Sequence, residues 1–258
     1  MRRLLVFAVL VSLPALAQSP LDGTWISKEE TASIDKRPYN VSLLKGVWKS
    51  DGPVPPISVK ADGFDQQVKG HAYYNTVSAR STGKDSVEVT TKKDGKVATS
   101  SVFSVSTDGS TLTQSWTDQT TSTPQSGEIV YQRIGKARPD AHPVTGAWRA
   151  TKIQHLSATA KTVTYKVTAE KVSMSTPAGL SYDAGKDGKE VPVNGDPGGT
   201  TISVKMASPG TLVETSKRSG KIVEVDRMTV APDGKTLRVD LEDREASRKG
   251  SLVMEKAP

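Results

Sequence analysis

Short runs in which apolar and polar residues alternate fill most of the chain, and turn-forming residues separate them. Alternation with a period of two is typical of a strand with one buried face. In the second half the runs are divided by turn sequences such as SPG, RSGK and PDGK, which suit tight hairpins. The pattern predicts ten strands there, near Ala147–Ile153, Thr162–Thr168, Lys171–Ser175, Leu180–Tyr182, Glu190–Val193, Thr201–Met206, Thr211–Lys217, Ile222–Val230, Lys235–Leu241 and Ser251–Glu255.

The same pattern occurs twice. Lys92–Trp116 aligns with Lys217–Leu241 without a gap and with 8 identities in 25 positions, and DGTW ending at Trp25 matches TGAW ending at Trp148. The distance in sequence between matching residues of the two copies far exceeds the length of a solenoid repeat. Each copy is therefore predicted to be a domain of its own. We place repeat 1 at 18–135, a linker at 136–143 and repeat 2 at 144–258.

After residue 17, no stretch sustains the apolar spacing of an amphipathic helix. The fold class is therefore predicted to be all-β. Each repeat is expected to form an antiparallel meander of about nine or ten strands that closes into an up-and-down barrel, because closure hides the strand edges.

Residues 1–17 have the composition of a secretory signal peptide. Arg2 and Arg3 precede the apolar run Leu4–Leu13, and small residues stand at Ala15 and Ala17. We expect the protein to be periplasmic or secreted. The chain has no cysteine, which excludes disulfides, thiolate metal sites and a lipid-bearing cysteine, so no membrane anchor is expected.

Charge argues against a nucleic-acid partner. The net charge is +7, of which Arg2 and Arg3 supply two; repeat 1 is balanced, and repeat 2 carries a small positive excess. The signs alternate and form no sustained basic run, which is typical of a solvated surface.

Both repeats share a motif at their ends. Each opens with Gly-x-Trp and closes with a cation, at Gly23, Trp25 and Arg133 and at Gly146, Trp148 and Lys256. This resembles the lipocalin or calycin barrel, in which the first-strand Trp packs across the barrel end beside a basic side chain. The run DGKEVPVNGDPGGTTISVK, from Asp187, is similar to secreted bacterial lipocalin-like proteins of unassigned function. Repeat 1 departs from it, with GHAYY at Gly70–Tyr74.

Catalytic constellations are sparse. The three histidines, His71, His142 and His155, have no second ligand at metal spacing, and no nucleophile elbow, P-loop or dinucleotide fingerprint occurs. We therefore predict no catalytic residue, metal or cofactor. A cavity-based isomerase or hydrolase is a third hypothesis that no constellation supports.

Aromatic residues distinguish the two repeats. Nine lie in repeat 1, and only Trp148, Tyr165 and Tyr182 lie in repeat 2. Aromatic walls are typical of small-molecule pockets, so repeat 1 is the better candidate for a ligand cavity. We predict ligand-binding roles for Trp48, Tyr73, Tyr74 and Trp116; the alternative is ordinary packing. Trp25 and Trp148 are interpreted as plugs of the barrel ends.

The repeated hairpin differs in its charge. The alternation that groups Thr99, Ser101 and Phe103 on one face places Glu224 and Asp226 at the matching positions of repeat 2. Buried carboxylates are costly unless they are paired. Glu224 and Asp226 are therefore candidate site residues of the second barrel. Either they meet a cation or a ligand inside it, or a bulge turns them to solvent. We favour the bulge, which is common in closed barrels.

Two functional hypotheses follow. The first is a non-catalytic, exported, lipocalin-like protein that binds a small apolar or aromatic ligand in the first barrel. The alternative is a structural or interaction module of the cell envelope, with filled barrels and no ligand. Cavity volume separates them.

Overall fold

A computed structural model describes residues 19–258; the predicted signal peptide, residues 1–17, lies outside the described residues. One helical turn, α1 (Ala158–Lys161), interrupts the strands. No helix among residues 19–258 is long and apolar enough to span a membrane. The strands are β1 (Gly23–Ser33), β2 (Tyr39–Leu44), β3 (Val47–Ser50), β4 (Ile57–Lys60), β5 (Gln66–Gln67), β6 (Thr76–Ser81), β7 (Ser86–Lys93), β8 (Lys96–Val105), β9 (Thr111–Asp118), β10 (Gln125–Ile134), β11 (Gly146–Gln154), β12 (Thr162–Val167), β13 (Lys171–Ser175), β14 (Ser181–Gly185), β15 (Val191–Pro192), β16 (Thr201–Ser208), β17 (Thr211–Arg218), β18 (Lys221–Val230), β19 (Thr236–Asp243) and β20 (Arg248–Lys256).

The strands form two antiparallel sheets of ten strands, each nearly closed into a barrel. The predicted fold class, two tandem antiparallel β-barrels, is confirmed. The ten strands predicted in repeat 2 all occur, with ends displaced by a few residues. Closure is completed by short bridges, Asp62 with Arg80 in one barrel and Ser181 with Asn194 in the other.

The two repeats exchange their first strands. The sheet made of β2–β10 takes β11 from repeat 2, and the sheet made of β12–β20 takes β1 from repeat 1. We call the first barrel I (β2–β11) and the second barrel II (β1 and β12–β20). The ranges 18–135 and 144–258 therefore describe the repeats in sequence, whereas each barrel draws on both.

Chain connectivity gives a reason for the exchange. β10 ends at Ile134 and β11 begins at Gly146, so these strands are sequence neighbours, and sequence neighbours pair most readily. β11 pairs with β10 from Glu128 opposite Gln154 to Ile134 opposite Ala147. β1 is then left to pair with β20 and β12.

A tryptophan from the exchanged strand is buried in each barrel. Trp148 in barrel I and Trp25 in barrel II are fully buried. The Arg133 guanidinium carbon lies 4.0 Å from the Trp148 ring centroid, and Lys256 Nζ lies 5.2 Å from that of Trp25. The motif at the ends of each repeat is thus completed across repeats, because the cation beside each tryptophan belongs to the other copy.

Candidate functional site

Barrel I encloses a cavity of about 440 Å³. Inward-facing side chains of nearly every strand form its wall, because alternate residues of a strand point to the same face. The volume lies within the roughly 300–1,000 Å³ typical of small-molecule sites. The wall residues are Tyr39, Trp48, Ser50, Ile57, Tyr74, Val89, Thr91, Thr99, Ser101, Phe103, Gln114, Ile129, Tyr131, Ala150 and Ile153, of which Tyr74 lies in the connection between β5 and β6.

Aromatic rings dominate one side of this wall. The ring of Phe103 lies 5.2 Å from that of Trp48 and 6.4 Å from that of Tyr39, between centroids. Tyr39 is in turn 5.4 Å from Tyr131. Tilted pairs at these distances are favourable and hold the rings in place. The result is a preformed aromatic surface inside the barrel.

The polar groups of the wall are mostly paired with one another. The Tyr131 hydroxyl donates to Gln114 Oε1 at 2.9 Å, and the Tyr39 hydroxyl lies 3.1 Å from Ser50 Oγ. Burial raises the pKa of both tyrosines, so both phenols are neutral at physiological pH. Their hydroxyls, with the serines, threonines and glutamine of the wall, add polar atoms to a mainly apolar surface.

Two connecting segments and one strand end form the mouth of the cavity. Ile34, Asp35 and Arg37 come from the β1–β2 connection, Gly52 and Pro53 follow β3, and Arg248 begins β20. We call these six residues the mouth. Since Arg248 belongs to repeat 2, the site in barrel I is completed by the other repeat.

The structure brings together two of the four predicted ligand-binding residues. Trp48 and Tyr74 line the cavity. Tyr73 instead contacts barrel II, where Arg218 Nη2 donates to its hydroxyl at 3.0 Å. Trp116 packs over Gly127 at the barrel wall, beside Leu156. Neither Tyr73 nor Trp116 is among the residues that line the cavity.

Sequence reasoning missed several wall and mouth residues. Tyr39 and Tyr131 entered the prediction only through the count of nine aromatic residues in repeat 1, and Phe103 was given no ligand-binding role although it shares a strand face with Thr99 and Ser101. Extending the alternation to β2 and β10 would have found the two tyrosines. Arg248 carried no such signal, because its place at the mouth depends on contacts between the repeats.

Barrel II has carboxylates where barrel I has its cavity wall. Glu214, Glu224 and Asp226 stand at the positions of Val89, Thr99 and Ser101 in the repeat alignment. Glu214 lies directly opposite Asp226 on the paired strands β17 and β18, as Val89 lies opposite Ser101. Tyr182, 2% exposed, donates its hydroxyl hydrogen to Glu214 Oε1.

Burial governs the ionisation of these carboxyls. It raises the pKa of Glu214 to about 7, against the opposing hydrogen bond from Tyr182. Burial, with the nearby Glu224 and Glu214, raises the pKa of Asp226 to about 8. The pKa of Glu224 is also raised, by burial and by Asp243, although the positive charge of Arg218 opposes the shift. The cluster therefore favours the protonated form.

The expectation that a bulge turns Glu224 and Asp226 to solvent is wrong. A register shift does occur, but it lies between the pairs Ser216–Glu224 and Lys217–Ile222. It leaves Ile222 47% exposed and keeps both carboxylates inside. Asp226 Oδ1 is buried without a hydrogen-bond partner among residues 19–258, which fits a protonated, uncharged carboxyl better than an ion.

The three histidines are not among the residues that line the cavity of barrel I, and none belongs to the carboxyl cluster of barrel II. His71 stacks on Tyr74 with ring centroids 4.4 Å apart, and His155 Nδ1 is 2.9 Å from Glu128 Oε2. His142 Nε2 lies near Ser81. Within the described range 19–258, no group of three or more His, Cys, Asp or Glu side chains is placed to hold a metal ion.

Comparison of the chain with protein families and with curated proteins finds no match in either.

Proposed function

We propose that the chain is an exported, non-catalytic binding protein of lipocalin-like type that holds one small apolar or aromatic ligand in barrel I. The observation that carries the proposal is the aromatic cavity of about 440 Å³ lined by Trp48, Phe103 and Tyr131. Burying an apolar ligand there gains roughly 25 cal/mol for each Å² removed from water. Export is proposed from the composition of residues 1–17.

We assign barrel II a structural role rather than a ligand site. The inward positions that match the cavity wall of barrel I hold Glu214, Glu224 and Asp226, beside the buried ring of Tyr182. Barrel II also supplies Arg248 to the mouth of barrel I. An interior lined by carboxyls suits an apolar ligand less well than the aromatic cavity of barrel I, so the alternative function, a structural or interaction module, is favoured for barrel II alone.

Filling the cavity should abolish binding. Ser101 lines the cavity from β8, so Ser101→Phe is expected to reduce the affinity for a neutral apolar dye such as Nile red at least about ten-fold, because the new ring occupies ligand space. The measurement is a fluorescence titration with the dye, followed by its displacement by candidate ligands. Native mass spectrometry of the purified protein reports any molecule that co-purifies.

Ser104 provides the matched control, since it lies on the same strand but is exposed. Ser104→Phe should bind the dye as the wild type does. If the wild type takes up no dye and carries no co-purified molecule, the binding function is lost. Equal affinity of Ser101→Phe and Ser104→Phe would place any bound dye outside the cavity.

A further inference from the structure

The mouth of the cavity carries one cation more than its own carboxylate neutralises. Asp35 and Arg37 are paired, with both Asp35 oxygens 3.1 Å from Arg37 Nε. This pairing holds the pKa of Asp35 low, at about 2. The remaining mouth cation, Arg248, lies opposite Asp243 on the paired strands β19 and β20 but forms no salt bridge with it.

Arg248 differs from the cations around it. Arg244 and Lys249 both pair with Glu242, at 3.0 and 3.1 Å. Among residues 19–258, the half-buried Arg248 guanidinium has neither a carboxylate within salt-bridge distance nor a hydrogen-bond acceptor. A guanidinium carries five donors in a planar fork that matches a carboxylate.

Arg248 places this unpaired charge at the cavity. It lines the cavity together with Tyr39 and Tyr131. Its positive charge acts to lower the pKa of both phenols, although the larger effect of their burial raises it. Apolar walls below and an unpaired cation above are complementary to a molecule with an apolar body and an anionic end.

We propose that the ligand of barrel I is an amphipathic carboxylate, with its alkyl or aryl body against Trp48 and Phe103 and its carboxylate on Arg248. The inference rests on the proposed function and makes it more specific. It also makes ligand recognition depend on both repeats, because repeat 1 supplies most of the cavity wall and repeat 2 supplies the charge. Arg248 is thereby the residue that determines specificity.

Matched ligand pairs test this proposal at pH 7. Decanoate is compared with decan-1-ol, and 2-naphthoate with 2-naphthol, by displacement of Nile red. The wild type should prefer the acid in at least one pair by about ten-fold or more, which is the size expected for a charge-assisted hydrogen bond. Arg248→Gln should remove that preference by weakening binding of the acid. Lys249→Gln, which alters the adjacent cation paired with Glu242, should keep the preference.

The outcomes separate this proposal from the function on which it rests. Equal affinity for acid and alcohol in the wild type overturns the carboxylate proposal and leaves apolar binding intact. An acid preference that persists in Arg248→Gln overturns the role of Arg248. If neither ligand pair nor the dye binds, the proposed function fails as well. Unchanged thermal unfolding of Arg248→Gln shows that the variant is folded.

Discussion

Replacing Trp25 with alanine is expected to destabilise barrel II, although Trp25 belongs to repeat 1. The side chain is fully buried in barrel II, its Nε1 donates to the Leu21 carbonyl at 2.8 Å, and Lys256 lies over its ring. Removing a buried Trp typically costs about 3–5 kcal/mol, and the contact with the cation adds roughly 0.5–2 kcal/mol. The two barrels share no ladder of strand hydrogen bonds, so the loss should fall mainly on one of them.

The distribution of tryptophans makes the effect measurable. Trp48, Trp116 and Trp148 all lie in barrel I, so in Trp25→Ala the fluorescence reports barrel I alone. Its denaturation midpoint should match that of barrel I in the wild type, while circular dichroism shows an earlier transition from barrel II. For a loss of this size the urea midpoint moves by roughly 2 M, given typical denaturant slopes.

Trp148→Ala is the matched variant. It removes the equivalent buried tryptophan from barrel I, where Arg133 lies 4.0 Å from the ring centroid. The fluorescence transition of Trp48 and Trp116 should therefore move to lower urea. If Trp25→Ala lowers the fluorescence midpoint as much as Trp148→Ala does, the strand exchange is contradicted.

Barrel II is expected to lose stability as the pH rises from about 4 to about 8. The folded-state pKa of Glu214, about 7, lies above its ordinary value of 4.5, and that of Asp226, about 8, lies above 3.8. At intermediate pH the unfolded chain has released these protons and the folded chain still holds them. Stability is therefore fully present below the ordinary values and is lost as the pH passes through the raised ones. For Glu214 alone the loss is on the order of 3 kcal/mol.

Neutral isosteres should remove this dependence. In Glu214→Gln combined with Asp226→Asn, the free energy of unfolding of barrel II should vary much less between pH 5 and pH 8 than in the wild type, with Glu224 as the remaining buried carboxyl. At pH 8 it should exceed that of the wild type by several kcal/mol, as the sum of such shifts implies. The measurement is urea unfolding followed by circular dichroism at the two pH values.

A surface carboxylate provides the control. Glu190 pairs with Lys217 at the surface, and its pKa is lowered by hydrogen bonds from Lys217 and Thr201. Glu190→Gln should retain the pH dependence of the wild type, because the ionisation of Glu190 is complete before this range. A double variant that loses stability with pH as the wild type does would show that Glu214 and Asp226 are ionised in the folded protein.

The strands were predictable because alternation and turn chemistry act locally. The turns at Gly95 and Gly220 have positive φ values of 82° and 77°, which glycine adopts without strain. The exchange of β1 and β11 was not predictable in the same way. Trp25 and Trp148 open equivalent strands, so either strand has the pattern to fit either sheet, and the selection depends on connection length and three-dimensional contacts.

The site was predictable only in part, for a related reason. The excess of aromatic residues in repeat 1 predicted the cavity there, and Trp48 and Tyr74 do line it. The neighbouring Tyr73 contacts Arg218 instead, because the direction of each side chain in the connection between β5 and β6 does not follow strand alternation. The mouth residue Arg248 lies in the other repeat, where no local pattern indicates a role in this cavity.

For Glu224 and Asp226, a correct physical principle led to the wrong structural prediction. Buried charge is costly, and that cost led to the expectation of a bulge that exposes Glu224 and Asp226. The structure keeps them inside with raised pKa values, so proton uptake replaces exposure as the means of avoiding buried charge. Sequence alone does not distinguish a buried acid from a buried ion.

The most direct test of the ligand cavity is quenching of Trp48 by a ligand that carries bromine on its chain, since bromine quenches indole emission only at contact. Trp48 is 1% exposed and lines the cavity. Titration with a brominated decanoate should reduce the emission until one equivalent is bound. In Trp48→Phe, the quenchable fraction should be lost while Nile red displacement by the same ligand persists. Quenching that is equally strong in Trp48→Phe, or that is absent from the wild type at saturation, would contradict a ligand site inside barrel I.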